Sequence, residues 1–227
     1  MSKGFSFNTV IKKILPENVI DILREIRIRV LRMLGKDIDY FYDEEFAKVK
    51  EYRDKEWTGD FCNIILKLFG PSSVIDFGCG TGDILAPFES KGIQVKGVDG
   101  SKANRKYSKI KPENFILYDL RKGYDPGERY DLCFCLEVAE HIAEKYSDTL
   151  IETLTTSSET VIFTAASPGQ EGKNHVNLKP YEWWQEKFED RGFLLDTNMT
   201  DQLKAEMRNI SGIQWWYLNN MKVFKKR

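Results

Sequence analysis

Two carboxylates and an imidazole stand together in the segment E-x-x-E-H, formed by Glu137, Glu140 and His141, just after an apolar run. The chain contains only two histidines, and the second, His175, lies in a polar stretch rich in Gly, Asn and Lys. Imidazole and carboxylate groups can remove the proton of a hydroxyl acceptor, or hold a divalent cation that stabilises its charge. If a helix has begun at Glu137, residues three and four positions apart share one face. These residues form a candidate acid–base or metal site.

A second segment, VIDFGCGTGDIL, runs from Val74 to Leu85 and places three glycines at alternate positions. Glycine is entropically costly in a regular element, but a glycine turn lets backbone amides approach a bound ligand closely. The spacing G-x-G-x-G, with Asp83 where a dinucleotide fingerprint has Gly or Ala, disfavours a nicotinamide cofactor, and no Walker A lysine is present. Asp99 follows about 20 residues later, where a carboxylate can bind ribose hydroxyls.

VIDFGCGTGD resembles the first motif of the class I S-adenosylmethionine (SAM)-dependent methyltransferases, and the resemblance extends over roughly residues 70–165. In that family the glycine loop contacts the methionine and ribose of the cofactor, and a carboxylate after the second strand binds the ribose. VKGVDGS is similar to that second segment, FILYDL to the one that touches the adenine amino group, and YDLCFCLEVAEHI to the one beside the methyl donor. The resemblance implies a cofactor-binding set of Asp76, Gly78, Cys79, Gly80, Thr81, Gly82, Asp99, Gly100, Ser101, Asp119, Leu120, Leu136 and Glu137.

The resemblance also implies an enzyme that methylates an oxygen, less readily a nitrogen, of a small polar or glycan-type acceptor. Because the methyl group of a sulfonium is already activated, such an enzyme chiefly aligns the reacting atoms, and a hydroxyl acceptor additionally needs its proton removed. We therefore expect Glu137, His141 and His175 to lie near the reaction, with His175 as general base or substrate contact.

Three alternatives stay open. E-x-x-E-H resembles the metal-binding pattern of ubiquinone-pathway O-methyltransferases and of RNA 3′-terminal 2′-O-methyltransferases, although similar segments occur in relatives without metal. A magnesium site at Glu137, Glu140, His141 and His175 would then support a metal-dependent RNA 3′-terminal 2′-O-methyltransferase. The second alternative is a non-catalytic member that binds SAM and scaffolds a partner. The third, a nicotinamide oxidoreductase, is disfavoured by Asp83.

The elements that must position these residues follow from the hydrophobic pattern. After Pro71, short apolar runs alternate with helical segments, which predicts a parallel sheet covered by helices on both faces. Strands are predicted at 74–77, 94–98, 115–118, 132–136 and 160–164, near 193–197 and around 214–224; helices are predicted near 83–91, 102–110, 140–153, 181–191 and 201–209. The resemblance implies that residues 71–227 form a Rossmann-like, doubly wound α/β domain with a seven-stranded sheet, mostly parallel with an antiparallel last strand.

Residues 1–70 read as a helical N-terminal extension. The segment PENVIDILREIRIRVLRMLG has apolar residues at helical spacing with four arginines among them. Such a helix either packs on its own domain or lies on an anionic membrane or an acidic partner. By analogy with the family, the extension covers the cofactor cleft or contributes to the acceptor site, with candidate contacts at Tyr40, Phe41, Tyr42 and Tyr52.

The composition sets further limits. A net charge of −1 from 34 basic and 35 acidic residues gives no global attraction to nucleic acid, so a nucleic-acid partner is not expected, although a local basic patch stays open. No apolar run reaches the roughly 20 residues of a membrane span, and the N-terminus lacks the apolar region of a signal peptide. Four cysteines without metal or disulfide spacing predict free thiols. We expect a cytoplasmic protein.

Overall fold

A computed structural model describes residues 16–45, 47 and 57–227 of the chain. The chain divides into two units, residues 1–41 and 42–227. In the first unit, helix α1 spans Glu17–Met33 and helix α2 spans Asp37–Phe41. Gly35, at φ 63°, follows α1 in the left-handed conformation that favours glycine. The predicted acceptor contact Tyr52 lies outside the described residues.

The second unit contains a seven-stranded sheet, counted over the described residues. The strands are β1 Ser73–Phe77, β2 Gln94–Asp99, β3 Phe115–Leu117, β4 Leu132–Leu136, β5 Thr160–Thr164, β6 Phe193–Leu195 and β7 Lys222–Lys226. Their order across the sheet is β3-β2-β1-β4-β5-β7-β6. Strand β7 runs antiparallel to both of its neighbours, whereas the remaining pairs are parallel. This arrangement confirms the predicted Rossmann-like sheet with an antiparallel last strand.

Helices of the second unit cover both faces of this sheet. Alternate residues of β4 belong to different apolar layers: Phe134 faces the layer that contains Trp57 and Phe61, while Cys133 and Cys135 face the other. Both thiols are buried and free, as predicted. The helices are α3 Thr58–Phe69, α4 Ala86–Ser90, α5 Lys102–Lys106, α6 Ser147–Ser157, α7 Tyr181–Glu189, α8 Thr197–Met207 and α9 Trp215–Asn220.

The sequence pattern predicts helix α3 as part of the N-terminal extension, but the helix belongs to the second unit. The ring of Phe61 lies 5.7 Å from that of Phe134 on β4, and both side chains are fully buried. Among the described residues, no helix has both the length and the apolar character that crossing a bilayer requires.

The last predicted strand is wrong. The apolar stretch around 214–224 does not form a single strand, because α9 occupies Trp215–Asn220 and strand β7 begins only at Lys222. Burial in this stretch follows a helical face: Tyr217 packs against Trp57 with ring centroids 4.9 Å apart, whereas Trp215 is largely exposed. A short aromatic run suits either element, and here the contact with Trp57 favours the helix.

Candidate functional site

The strand order reverses beside β1, which lies between β2 and β4. Ligands of open α/β sheets bind at the carboxyl ends of the strands at such a reversal. The glycine loop follows β1, Asp99 ends β2, and the E-x-x-E-H segment follows β4. The sequence-predicted residues therefore meet at one edge of the sheet, where a cleft is lined by Asp76, Gly78, Cys79, Asp83, Ile84, Leu136 and Tyr217.

Glycine is required in the loop for two reasons. Gly78, Gly80 and Gly82 have φ values of 78°, 59° and 81°, which side chains rarely adopt. A Cβ on Gly78 would also lie 2.3 Å from Cγ2 of Val138, in the segment after β4. The amide of Gly78 donates to the carbonyl oxygen of Val98 at 2.7 Å, so the loop turns toward the end of β2.

We expect Gly78→Ala to lower the free energy of unfolding by about 3 kcal/mol, because left-handed strain adds to overpacking against Val138. Gly92→Ala is the matched control, since Gly92 has φ 81° but nothing lies within 4 Å of the position that a Cβ would take there. That control should lose only about 1 kcal/mol, the cost of the strain alone. Chemical denaturation measures both values, and equal losses would contradict the close contact between the loop and Val138.

Asp99 holds the glycine loop and the following helix together. Its carboxylate accepts hydrogen bonds from the Gly80 amide at 2.9 Å, the Ser101 amide at 2.8 Å and Nδ2 of Asn104 at 3.1 Å. Ser101 caps α5, because its hydroxyl accepts from the amide of Asn104. No role for Asn104 was predicted from the sequence. Its position three residues after the helix-capping Ser101 could have indicated one. The buried carboxylate is therefore fixed in place before any ligand binds.

Asp119 follows β3, as predicted, but its carboxylate is already engaged. Arg121 donates to it from Nε at 2.8 Å and from Nη2 at 2.9 Å, a bidentate pair. Burial raises the pKa of Asp119, yet the bonds from Arg121 outweigh burial and the pKa is lowered overall. Leu120 beside it is buried. A ligand contact at Asp119 would have to share this carboxylate with Arg121.

The E-x-x-E-H segment does not form the predicted helix. Glu137 has φ 56°, and residues Ala139–His141 make a single 3-10 turn, so Glu137 does not share a helical face with Glu140 and His141. The reason is tertiary: the carbonyl oxygen of Glu140 accepts the amides of Val176 at 2.9 Å and Asn177 at 3.0 Å instead of continuing a helix.

These two bonds bring His175 to the end of β4. The imidazole rings of His141 and His175 lie 4.9 Å apart, edge to face. Nδ1 of His141 lies 3.1 Å from the carbonyl oxygen of Asn174, and Nδ1 of His175 lies 2.8 Å from that of Gln170. A carbonyl oxygen only accepts, so we infer that Nδ1 carries the proton and that Nε2 holds the lone pair in each neutral ring.

Two glutamates belong to the same segment after β4. Glu140 is 1% exposed, and neither carboxylate oxygen has a hydrogen-bond partner among the described residues. Burial raises its pKa well above the ordinary value, and the nearby Glu137 raises it further. Burial likewise raises the pKa of Glu137, although Nδ2 of Asn220 donates to its Oε1 at 3.2 Å. Asn220 also donates to Oε1 of Gln170, and sequence reasoning missed this link between the β4 and β5 loops.

The donor atoms suit some cations better than others. One donor atom each from Glu140, His141 and His175 lies within 4.8 Å of the other two. Two imidazoles and one carboxylate are the donors that zinc, manganese, iron or cobalt accept, whereas magnesium prefers oxygen ligands. The donor set therefore does not support the magnesium that the sequence pattern suggested, and Glu137 is not part of the cluster.

Comparison with known proteins identifies relatives of the chain. A family model described as a methyltransferase domain matches residues 49–222. The ubiquinone biosynthesis O-methyltransferase of Rhodopseudomonas palustris (strain BisA53) is 38% identical over 76 residues, which make up 31% of this chain and 30% of that protein. The matched segment thus spans less than a third of this curated relative.

Solved structures agree in fold. An amino pentose methyltransferase from Micromonospora echinaspora, involved in calicheamicin biosynthesis and solved with SAM, has a TM-score of 0.60 at 12% identity, over 79% of this chain and 96% of its own. The magnesium protoporphyrin IX methyltransferase of Synechocystis PCC 6803, solved with S-adenosylhomocysteine, has a TM-score of 0.58 at 18% identity. The match covers 84% of this chain and 98% of that enzyme. At these identities the likeness shows the fold alone.

Proposed function

We propose, because the chain belongs to the methyltransferase-domain family, that it transfers a methyl group from SAM to an oxygen of a small polar or glycan-type acceptor. The observation that carries this proposal is the position of His175 beside the end of β4. Its Nδ1 is held by a backbone carbonyl, which leaves Nε2 able to take a proton. The curated relative and the amino pentose enzyme act on small molecules according to their names, which favours an acceptor of that class.

The residues around the cleft fit the cofactor. The backbone of Gly78 and Gly80 would lie against its methionine and ribose, and the Asp99 carboxylate, at the end of β2, would accept the ribose hydroxyls. When bound, SAM supplies a methyl group already activated on a sulfonium. Leu136 and Glu137, at the end of β4, would border that methyl group.

The acceptor side is formed by the two imidazoles. Nε2 of His175 would receive the acceptor's hydroxyl proton as the oxygen attacks, and His141 would orient the acceptor. The ring of Tyr42, one of the predicted acceptor contacts, lies 5.7 Å from that of His141. Gly172 leaves room for the base, since a Cβ there would lie 2.3 Å from Nε2 of His175.

Incubating the protein with methyl-labelled SAM and a panel of sugars, phenols and amines, followed by identification of the labelled product, tests the proposal. We expect an O-methyl product. An N-methyl product would correct the acceptor atom. Tight SAM binding without transfer to any acceptor, including fractionated cell extract, would instead favour a non-catalytic scaffold.

A second candidate is an O-methyltransferase assisted by a divalent ion, favoured by the cluster of Glu140, His141 and His175. The buried, unpartnered Glu140 carboxylate and the two imidazoles would hold the ion, whose charge would stabilise the acceptor oxygen. Salt-sensitive RNA binding, together with this metal dependence, would point to the RNA 3′-terminal activity.

Metal dependence has a direct test. If the cluster binds an ion, saturating manganese, cobalt or zinc should raise the melting temperature by about 5 °C or more, and a chelator should reverse the rise. Glu140→Gln should abolish the response, whereas Glu144→Gln, at an exposed residue paired with Lys179, should retain it. A melting temperature that no ion changes would leave His175 to act without metal.

A further inference from the structure

Helix α1 presents an apolar face that is exposed. At 100° per residue, seven apolar side chains fall within an arc of about 120°. Six of them are more than 45% exposed and Val19 is partly buried; the exposed side chains belong to Ile22, Leu23, Ile26, Val30, Met33 and Leu34. Among residues 17–34 of the described chain, no charged side chain falls inside the arc. We call this set the apolar arc.

Two arginines border the apolar arc. On the helical projection, Arg27 lies about 20° beyond one edge and Arg29 about 20° beyond the other. Both side chains belong to exposed residues, and Arg27 also stands 4.8 Å over the ring of Tyr40 on α2. Long arginine side chains at such positions can bury their stems in an apolar layer while the guanidinium reaches its polar surface.

The charge of the surrounding sequence has the same sign. Residues 1–35 carry seven basic and three acidic side chains, a net charge of +4, whereas the whole chain carries −1. The rest of the chain is therefore net acidic, whereas the sequence that contains α1 is net basic. A surface that α1 could recognise must offer both an apolar layer and negative charge.

We propose that α1 binds the surface of an anionic phospholipid membrane, parallel to its plane. The apolar arc enters the boundary between headgroups and acyl chains, and Arg27 and Arg29 contact lipid phosphates on either side. A helix that lies in the interface need not be long or uniformly apolar, which agrees with its 17 residues and mixed opposite face. The proposed membrane contact uses none of the residues assigned above to methyl transfer.

Vesicle flotation with the full chain tests the proposal. The protein should float with vesicles of equal parts phosphatidylcholine and phosphatidylglycerol, and at least tenfold less with phosphatidylcholine alone. Raised salt should weaken binding to the anionic vesicles. Absence of binding to the anionic vesicles, or equal binding to both kinds, would overturn the proposal.

Paired variants separate the apolar and the electrostatic contributions to membrane binding. Ile26→Gln with Met33→Gln removes apolar area from the arc, and Arg27→Gln with Arg29→Gln removes its bordering charge; each pair should reduce anionic binding about tenfold or more. Leu194→Gln is the control for an exposed apolar residue elsewhere, and Lys145→Gln with Arg208→Gln matches the change in charge. Both controls should float like the unaltered protein.

Two other occupants of the arc would give different results. If a second copy of the chain covers the arc, sedimentation will show self-association that Ile26→Gln with Met33→Gln abolishes, without vesicle binding. If an acidic protein covers it, the unaltered chain will also fail to float. Either result would overturn the membrane assignment. SAM affinity, measured in parallel, should be the same in every variant.

Discussion

Asp99→Ala should weaken SAM binding about a hundredfold, or ~2.7 kcal/mol, because the two charge-assisted hydrogen bonds that we propose between this carboxylate and the ribose would be lost. The structure adds a second reason for a large effect: the same carboxylate fixes the amides of Gly80 and Ser101 and the side chain of Asn104. Removing the carboxylate would also free the loop that we propose as the cofactor's contact. Isothermal titration calorimetry with SAM measures the change in affinity.

Two further variants separate contact from positioning. Asn104→Ala keeps the carboxylate but removes one of the bonds that orient it, so we expect a loss of several-fold, smaller than that of Asp99→Ala. Asp125→Ala removes an exposed carboxylate that accepts a hydrogen bond from a nearby turn amide, and it should leave affinity unchanged. If Asp99→Ala melts like the unaltered protein and binds SAM equally well, the ribose assignment is wrong.

The sheet and the glycine loop could be predicted because their signals are local. Apolar runs alternate with helical segments from Pro71 onward, and the spacing of Gly78, Gly80 and Asp99 lies within one strand–helix–strand unit. A close approach of Val138 to Gly78, by contrast, joins segments 60 residues apart. The sequence therefore predicts a glycine loop at this place. It does not reveal that Val138 leaves no room for a side chain at Gly78.

The sequence suggests that the two histidines act together, but their arrangement could not be predicted from it. The arrangement depends on the backbone bonds from Val176 and Asn177 to Glu140, and backbone bonds between distant segments leave no mark in residue type. The same bonds explain why the helix predicted at 140–153 begins only at Ser147. The role of Asn220, which donates hydrogen bonds to Glu137 and Gln170, could not be predicted either. The sequence pattern predicts a strand for its segment, whereas the residue lies at the end of a helix.

His175→Ala should lower kcat between about a hundredfold and a thousandfold while leaving SAM affinity nearly unchanged, the range expected for loss of a general base. We expect the effect on kcat without an effect on SAM affinity because the two sets of residues are held by different bonds. His175 is held by Gln170 and faces His141, whereas the loop that would meet the cofactor is held by Asp99. Single-turnover kinetics with an identified acceptor, together with calorimetric SAM binding, measures the two quantities separately.

Gly172→Ala distinguishes the position of this imidazole from its mere presence. The added methyl group would lie 2.3 Å from Nε2 of His175, so the ring must move although it can still accept a proton. Because displacement of a catalytic group by about 1 Å can cost up to about a hundredfold, we expect a fall in kcat of about tenfold. Gly59→Ala, where nothing lies within 4 Å of the added carbon, should have no such effect. If His175→Ala retains full activity, Nε2 of His175 is not the base. If His175→Ala loses activity but Gly172→Ala retains it, the imidazole has room to move, and its ability to accept a proton matters more than its exact position.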